Sequence, residues 1–324
     1  MKVFLNKALP EAGMHLLKHP KIELIIPSKD DLTRAEWLEY CKKSDVVISV
    51  GKMIFDQSFF EECPNVKAIA LFSVGYDHVD ISAATQHKVV VTNTPEVLSK
   101  ATSDVAFLLM QMIARKAVFN IEKVKNGKWT KNFDPSAHLG QELYGKTLGV
   151  FGLGRIGLEM AKKCKNAFDM KIMYHNRSRN EQIEKEWNAQ YVSFDELIKQ
   201  ADVLSIHANY TSKEKHLFNA TVFSKMKSNA ILVNTARGGF INEHDLYSAL
   251  KSQTIFGAGL DVTETEPLLP QSPLLTLDNV AILPHIGSAT IEARNGMAKL
   301  VAQNVIAFVE EKQLPSAVNQ EALK

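Results

Sequence analysis

Short apolar runs alternate with amphipathic stretches along the whole chain. In the first third, Val3–Leu5, Ile22–Ile26, Val46–Val50, Val66–Leu71 and Val89–Thr92 are apolar and bounded by polar or turn residues. Each is too short for a helix and most are rich in β-branched residues, so each predicts a buried strand. Arg34–Lys42 and Phe55–Glu61 predict helices in the intervals. Buried strands alternating with helices imply a mainly parallel sheet covered on both faces. Asn93-Thr94-Pro95 then punctuates the chain. Ser99 to about Asn126 predicts one long helix, with Val105, Leu108, Leu109, Met112 and Ile113 apolar and Gly127 as its stop. So broad an apolar surface predicts contact beyond its own domain, and a dimer interface there.

The same rhythm resumes after Leu143-Tyr144-Gly145-Lys146. Strands are expected at Thr147–Phe151, Lys171–Tyr174, Val203–His207, Ala230–Asn234, Ile255–Gly259 and Val280–Leu283. Helices are expected at Arg155–Lys165, Phe194–Gln200, Ala220–Lys225 and Glu243–Lys251. This is the pattern of a doubly wound α/β sheet. A last helix, about Ile291–Glu311, carries Ala293, Met297, Leu300, Val301, Val305 and Phe308 on one side and is expected to return to the first domain. The reading is a substrate domain of residues 1–98 plus 289–324, interrupted by a dinucleotide-binding domain of residues 99–288.

Composition narrows the function classes. The chain has 324 residues, 45% hydrophobic and 23% charged, which suits a globular protein of about two domains. A formal charge of +2 gives no support to nucleic-acid or membrane-surface binding. The most apolar helical stretch, Val105–Ala114, is interrupted by Gln111 and is too short to cross a bilayer. Pro10 interrupts the N-terminal apolar run before a signal-peptide core forms. Cys41, Cys63 and Cys164 are an odd number, widely spaced, and predict reduced, buried thiols in a cytoplasmic protein. The 10 histidines show no short metal-binding spacing, so no metal is expected.

The strongest local motif is Gly152-Leu153-Gly154-Arg155-Ile156-Gly157, which follows an apolar strand and opens a helix. Gly152 permits the tight turn, Gly154 lets backbone approach a pyrophosphate, and Gly157 permits close helix–sheet packing. Free N–H groups at the helix start then meet the phosphate charge. The next strand ends in His175-Asn176-Arg177-Ser178-Arg179, and Met170 to Asn180 contains no acid. A site selecting unphosphorylated dinucleotide places Asp or Glu about there; Arg177 and Arg179 instead suit a 2′-phosphate. NADP(H) is therefore the expected cofactor, with NAD(H) possible.

Three further segments end strands: Asn234-Thr235-Ala236-Arg237, Gly259 to Pro267, and Pro284-His285-Ile286-Gly287. All strand ends of one polarity face the ligand crevice in an open parallel sheet. An Arg, a Glu and a His would thus converge. That set fits hydride transfer to a 2-oxo acid: Arg237 pairs with the carboxylate and polarises the ketone, His285 donates the proton, and an acid favours the imidazolium. Spacing alone leaves Glu264 and Glu266 in competition for that acid.

Ser73–Asp80 (SVGYDHVD), Gly145–Gly157, Asn234–Gly239 (NTARGG), Gly257–Leu268 and Leu283–Thr290 together resemble the D-isomer-specific 2-hydroxyacid dehydrogenases, most closely their glyoxylate/hydroxypyruvate reductase branch. The resemblance runs along essentially the whole chain. It implies two Rossmann-like domains, the nucleotide domain inserted into a smaller, flavodoxin-like substrate domain. It assigns catalysis to Arg237, to His285 and to the Glu that precedes a Pro, which is Glu266. It places the substrate carboxylate on the amides of Val74 and Gly75. It puts Leu153, Gly154, Arg155 and Ile156 at the pyrophosphate and Asn176, Arg177 and Ser178 at the adenosine ribose. Thr235, Ala236, Arg237, Asp261, His285 and Gly287 fall near the nicotinamide, with Thr102 as a further contact. It also implies pro-R hydride transfer, D-configured products, a cleft between domains and a homodimer through the 99–140 region. Trp129 is a candidate to reach the partner's site, and Lys52 a candidate for a polar substrate tail. The rival readings are a 2-keto-D-gluconate reductase of the same family and a nucleotide-sensing corepressor.

Overall fold

The computed structural model describes residues 1–29, 31–130 and 134–323, which form two compact units, Met1–Leu98 with Ser288–Lys324, and Ser99–Gly287. The first unit runs β1 (Lys2–Leu5), α1 (Glu11–Leu17), β2 (Glu23–Ile25), α2 (Arg34–Cys41), β3 (Val46–Ser49), α3 (Gln57–Glu62), β4 (Ala68–Leu71), α4 (Ile81–Gln86) and β5 (Val90–Thr92). Its five strands lie in the order β2-β1-β3-β4-β5 with parallel neighbours. The short apolar runs become strands because both sheet faces are covered: β3 and β4 are buried at every position. Start signals are local. Thr33 and Glu36 form a capping box on α2, and the Asp56 carboxylate accepts from Phe59 N–H. The second cap moves the start of α3 past Phe55, which instead makes an isolated bridge to Val79.

The second unit runs α5 (Ser99–Ala114), α6 (Ala117–Lys125), β6 (Thr147–Phe151), α7 (Arg155–Phe168), β7 (Lys171–His175), α8 (Glu181–Trp187), β8 (Ala189–Tyr191), α9 (Phe194–Gln200), β9 (Val203–Ile206), α10 (Ala220–Phe223), β10 (Ile231–Asn234), α11 (Glu243–Lys251), β11 (Gly257–Leu260) and β12 (Val280–Ile282). Its seven strands are ordered β12-β11-β10-β9-β6-β7-β8, again all parallel. The chain then returns to the first unit through α12 (Ile291–Val309). There α1 approaches α12 closely enough that a Cβ on Gly13 would stand 2.6 Å from Ala298 O.

Two features depart from the sequence expectation. The single long helix predicted from Ser99 is two helices, α5 and α6, broken where Lys116 adopts a left-handed backbone with φ +50°. The Ala114 carbonyl at the break accepts from Gln141 N–H at 2.7 Å, so a distant segment caps α5. The sheet also gains an edge, α8 and β8, which the hydrophobic pattern gave no sign of. No residue of α8 is buried, and β8 has one buried position in three.

Candidate active site

The order of strands in the second sheet lines up the C-terminal strand ends. β10 and β9 pair with Asn234 opposite Ile206, so Thr235 and His207 emerge side by side. β11 pairs with β10 at Leu260 and Asn234, so Asp261 emerges next, and β12 delivers Pro284-His285 beyond it. On the other side, β6 and β9 pair at Phe151 and Ile206, bringing Gly152 beside His207. β7 then carries Asn176 past the end of its pairing with β6. From His285 to Gly152 is four strand steps, about 19 Å at 4.8 Å each. Strand order reverses between β6 and β9, the switch point at which open α/β sheets bind ligands.

The glycine loop has the geometry of a phosphate cradle. Gly152 takes φ +97°, and a Cβ there would lie 2.4 Å from Ala208 N. Only glycine fits. Gly154 caps α7 and faces open space at its Cα. The Asn176 side chain accepts from Leu153 N–H at 2.7 Å and fixes the loop to β7. A helix start with an unobstructed backbone fits a pyrophosphate. Beyond β7, Arg179 makes a bidentate pair with Glu184 at 2.7–3.0 Å, and Tyr174 Oη donates to the same carboxylate at 2.7 Å. Arg179 is thus paired within the protein, though exposed like its neighbours Arg177 and Ser178.

At the opposite end, His285 Nδ1 lies 3.0 Å from Glu266 Oε2. Thr263 N–H donates to the other oxygen of Glu266 at 3.3 Å. With Nδ1 committed to Glu266, Nε2 is the nitrogen left to meet a substrate. His285 itself is left-handed, φ +55°. The turn is clamped by Asp261, whose two oxygens accept from Ile286 N–H at 2.8 Å and Gly287 N–H at 2.7 Å. Burial pushes the Asp261 carboxyl up, against the pull of those two amides. Thr102, at the start of α5, is buried against the same turn: a Cβ on Gly287 would be 3.1 Å from Thr102 Cγ2.

Arg237 is partly buried, and its Nη1 donates to the Ala236 carbonyl at 2.7 Å. Asn234 Nδ2 donates to the Arg237 carbonyl at 2.8 Å and Asn234 Oδ1 accepts from Ala236 N–H at 3.0 Å, which shapes the turn. Glu264, the rival acid, faces away from His285 and pairs with His216. Sequence reasoning singled out neither His216 nor His207. His207 contacts Ser205 Oγ at 2.8 Å and Thr235 Oγ1 at 3.5 Å, and burial holds its imidazole down to about 3. Its place beside Thr235 follows from strand register, which no spacing in the chain announces.

In the first unit, the Ser73-Val74-Gly75 turn is held through its carbonyls. Thr94 N–H donates to Ser73 O at 2.9 Å, Asn93 Nδ2 to Val74 O at 2.8 Å and Ser73 Oγ to Gly75 O at 2.7 Å. Lys52 follows a left-handed Gly51 and is exposed. Trp129 is exposed too, and residues 131–133 of the 99–140 segment lie outside the described residues. Among the described residues no group of three or more His, Cys, Asp or Glu is arranged to hold a metal, and no helix is long and apolar enough to cross a membrane.

Comparison with known proteins bears on this geometry. A family model described as the NAD binding domain of D-isomer specific 2-hydroxyacid dehydrogenases matches residues 107–287. The glyoxylate reductase of Thermococcus litoralis is 42% identical over 326 residues, covering 99% of this chain and 98% of its own. That of Pyrococcus furiosus is 40% identical, covering 100% and 96%. Among solved structures, an NADPH-dependent glyoxylate/hydroxypyruvate reductase from Sinorhizobium meliloti, in complex with NADP and malonate, superposes with a TM-score of 0.86 at 30% identity, covering 99% and 97%.

Proposed function

The chain belongs to the D-isomer-specific 2-hydroxyacid dehydrogenase family, and from that premise we propose that it reduces glyoxylate and hydroxypyruvate to glycolate and D-glycerate, with NADPH as preferred cofactor and NADH possible. The observation that carries the reading is the Glu266–His285 pair, held at the end of β12 in the same sheet as the Arg237 turn and the glycine loop. The bound nicotinamide supplies the hydride. Arg237 takes the substrate carboxylate and polarises the ketone oxygen, with the amides of Val74 and Gly75 as further carboxylate donors. His285 Nε2 gives a proton to the substrate oxygen as negative charge develops there. Glu266 fixes the ring through Nδ1, which leaves Nε2 as the donor.

Leu153, Gly154, Arg155 and Ile156 are assigned to the pyrophosphate, and Asn176, Arg177 and Ser178 to the ribose and its 2′-phosphate. Thr102, Thr235, Ala236, Asp261 and Gly287 surround the nicotinamide in this assignment. The absence of an acid between Met170 and Asn180 and the exposed Arg177 support NADPH. Arg177 rather than Arg179 is given the 2′-phosphate in this assignment, since Arg179 is already paired with Glu184. Lys52 is assigned to the polar tail of the substrate, and Trp129 to the partner's active site. The same reading makes the protein a homodimer through residues 99–140, supported by exposed Leu108, Ile121, Val124, Trp129 and Leu139. Three free, buried cysteines suit a reducing, cytoplasmic setting.

Steady-state kinetics with glyoxylate, hydroxypyruvate, pyruvate and 2-ketogluconate, each with both cofactors, tests the reading. The highest kcat/KM is expected for glyoxylate or hydroxypyruvate with NADPH. A far higher value for 2-ketogluconate would overturn the substrate assignment. Arg177→Ala is expected to cost about tenfold in kcat/KM for NADPH and less than about twofold for NADH. Equal losses would remove Arg177 from the 2′-phosphate.

A further inference from the structure

We propose that Glu264 and His216 are positioning residues for the Arg237, Glu266 and His285 set, locking the loop that carries Glu266 onto the turn that carries Arg237. The proposal rests on the reaction assigned above.

Three segments meet at this point of the second unit. The Arg237-Gly238-Gly239 turn follows β10, and the Thr263-Glu264-Thr265-Glu266 loop follows β11. They touch backbone to backbone: a Cβ on Gly238 would stand 2.0 Å from the carbonyl carbon and oxygen of Thr263. The third segment, Lys215-His216-Leu217, precedes α10 and binds the first, His216 N–H donating to Gly239 O at 2.8 Å.

Glu264 ties its own loop to the third segment and to the start of α11, and reaches the Arg237 turn through His216. Its carboxylate takes His216 Nε2 on one oxygen, and the other accepts from Glu243 N–H at 3.4 Å, at the start of α11. In return Glu264 N–H donates to the Glu243 carboxylate at 2.6 Å. Two residues on, Glu266 is bonded by Thr263 N–H and by His285. A displacement of the 263–266 loop therefore moves the carboxylate that orients the imidazole.

The location of the tie argues for positioning over bulk stability. The His216 and Glu264 side chains are 33% and 31% exposed. Ion pairs so open to water contribute little to global stability. What this one does is tie the 263–266 loop to His216, whose N–H holds the Gly239 carbonyl of the Arg237 turn, and a shift of about 1 Å at such a site costs up to about 100-fold in rate. His216 also has a left-handed backbone, φ +55°, fixed by the Gly239 bond. The ring is thereby aimed by the same turn it braces.

The test uses Glu264→Ala, Glu264→Gln and His216→Asn. Asparagine tolerates the left-handed backbone at position 216 but is too short to reach Glu264. Glu264→Ala and His216→Asn are expected to lower kcat for glyoxylate with NADPH about tenfold, with the Kd for NADPH changed less than about twofold and Tm nearly unchanged. Glu264→Gln keeps an acceptor for the imidazole and is expected to restore most of the rate. Combining Glu264→Ala with His216→Asn should cost no more than either alone, since both delete one tie. Amide hydrogen exchange in residues 262–267 of the NADPH complex should quicken about tenfold in both single variants.

Unchanged kcat and exchange in both variants would overturn the proposal, as would additive losses. A lowered Tm with no rescue by Gln would mark a merely structural pair and overturn it too. Should the wild type turn over none of the 2-oxo acids, the functional assignment fails, and loop exchange alone still decides whether the tie exists. Should Glu264→Ala not fold, His216→Asn and Glu264→Gln carry the same comparison.

Discussion

His285 shows how much surrounding structure one side chain requires. Its left-handed backbone is unfavourable for a residue with a Cβ. Asp261 offsets that cost by holding the next two amides. His285→Asn tolerates the left-handed turn and removes the proposed proton donor, so kcat should fall by about 100-fold or more while the Kd for NADPH stays within about twofold. Near-normal turnover would remove His285 from the proton transfer. His207 gives a second residue-level prediction. Burial lowers its imidazole from 6.5 to about 3. Between those values the unfolded chain binds a proton that the native state refuses, so stability falls as pH drops through this window and is flat above it. The slope from this group approaches about 1.4 kcal/mol per pH unit. His207→Gln should therefore lose about 1–2 kcal/mol less than the wild type between pH 7 and pH 5 by urea denaturation, and show the same sensitivity above pH 7. Glu264 and Glu266 mark the limit of residue-level reading: both precede the same proline within three positions, and only the path of the loop turns one to His285 and the other to His216.

At the scale of elements, strands were more legible than helices. β6, β9 and β10 coincide with their apolar runs to within a residue, because burial on both faces demands continuous apolar sequence. α8 and β8 bury almost nothing and left no comparable pattern. The break between α5 and α6 was equally silent, since Arg115-Lys116 contains neither glycine nor proline and the capping partner of Ala114 lies at Gln141. Glycines report the packing that pattern cannot. A Cβ on Gly259 would stand 2.7 Å from Leu109 Cβ and 3.3 Å from its backbone, so α5 seats directly on β11. Gly259→Ala should destabilise the protein by about 1–3 kcal/mol through overpacking, read as a lowered urea midpoint at unchanged m. A neutral result would mean that α5 slides freely on the sheet.

For the whole molecule, topology does what composition cannot. Ordinary hydrophobic content and a charge of +2 suit a great many proteins. The order β12-β11-β10-β9-β6-β7-β8 is what places residues from six separate segments along one edge. The exposed apolar residues of α5 and α6 and beyond them predict association at the same scale: sedimentation equilibrium at micromolar concentration should give twice the 36.1 kDa chain mass. Leu108→Glu should shift the protein toward monomer. A wild type at the single-chain mass would discard the dimer.

The chain by itself determined its strands, its glycine loop and the residue types that end each strand, because burial period, turn stereochemistry and side-chain chemistry are local properties. Tertiary structure decided which acid meets His285, which arginine is claimed by Glu184, and where α5 stops. The first and last depend on contacts between segments about twenty or more residues apart, and even Arg179 and Glu184, five positions apart, meet only because the chain turns from β7 into α8, so this geometry exists only once the fold is assembled.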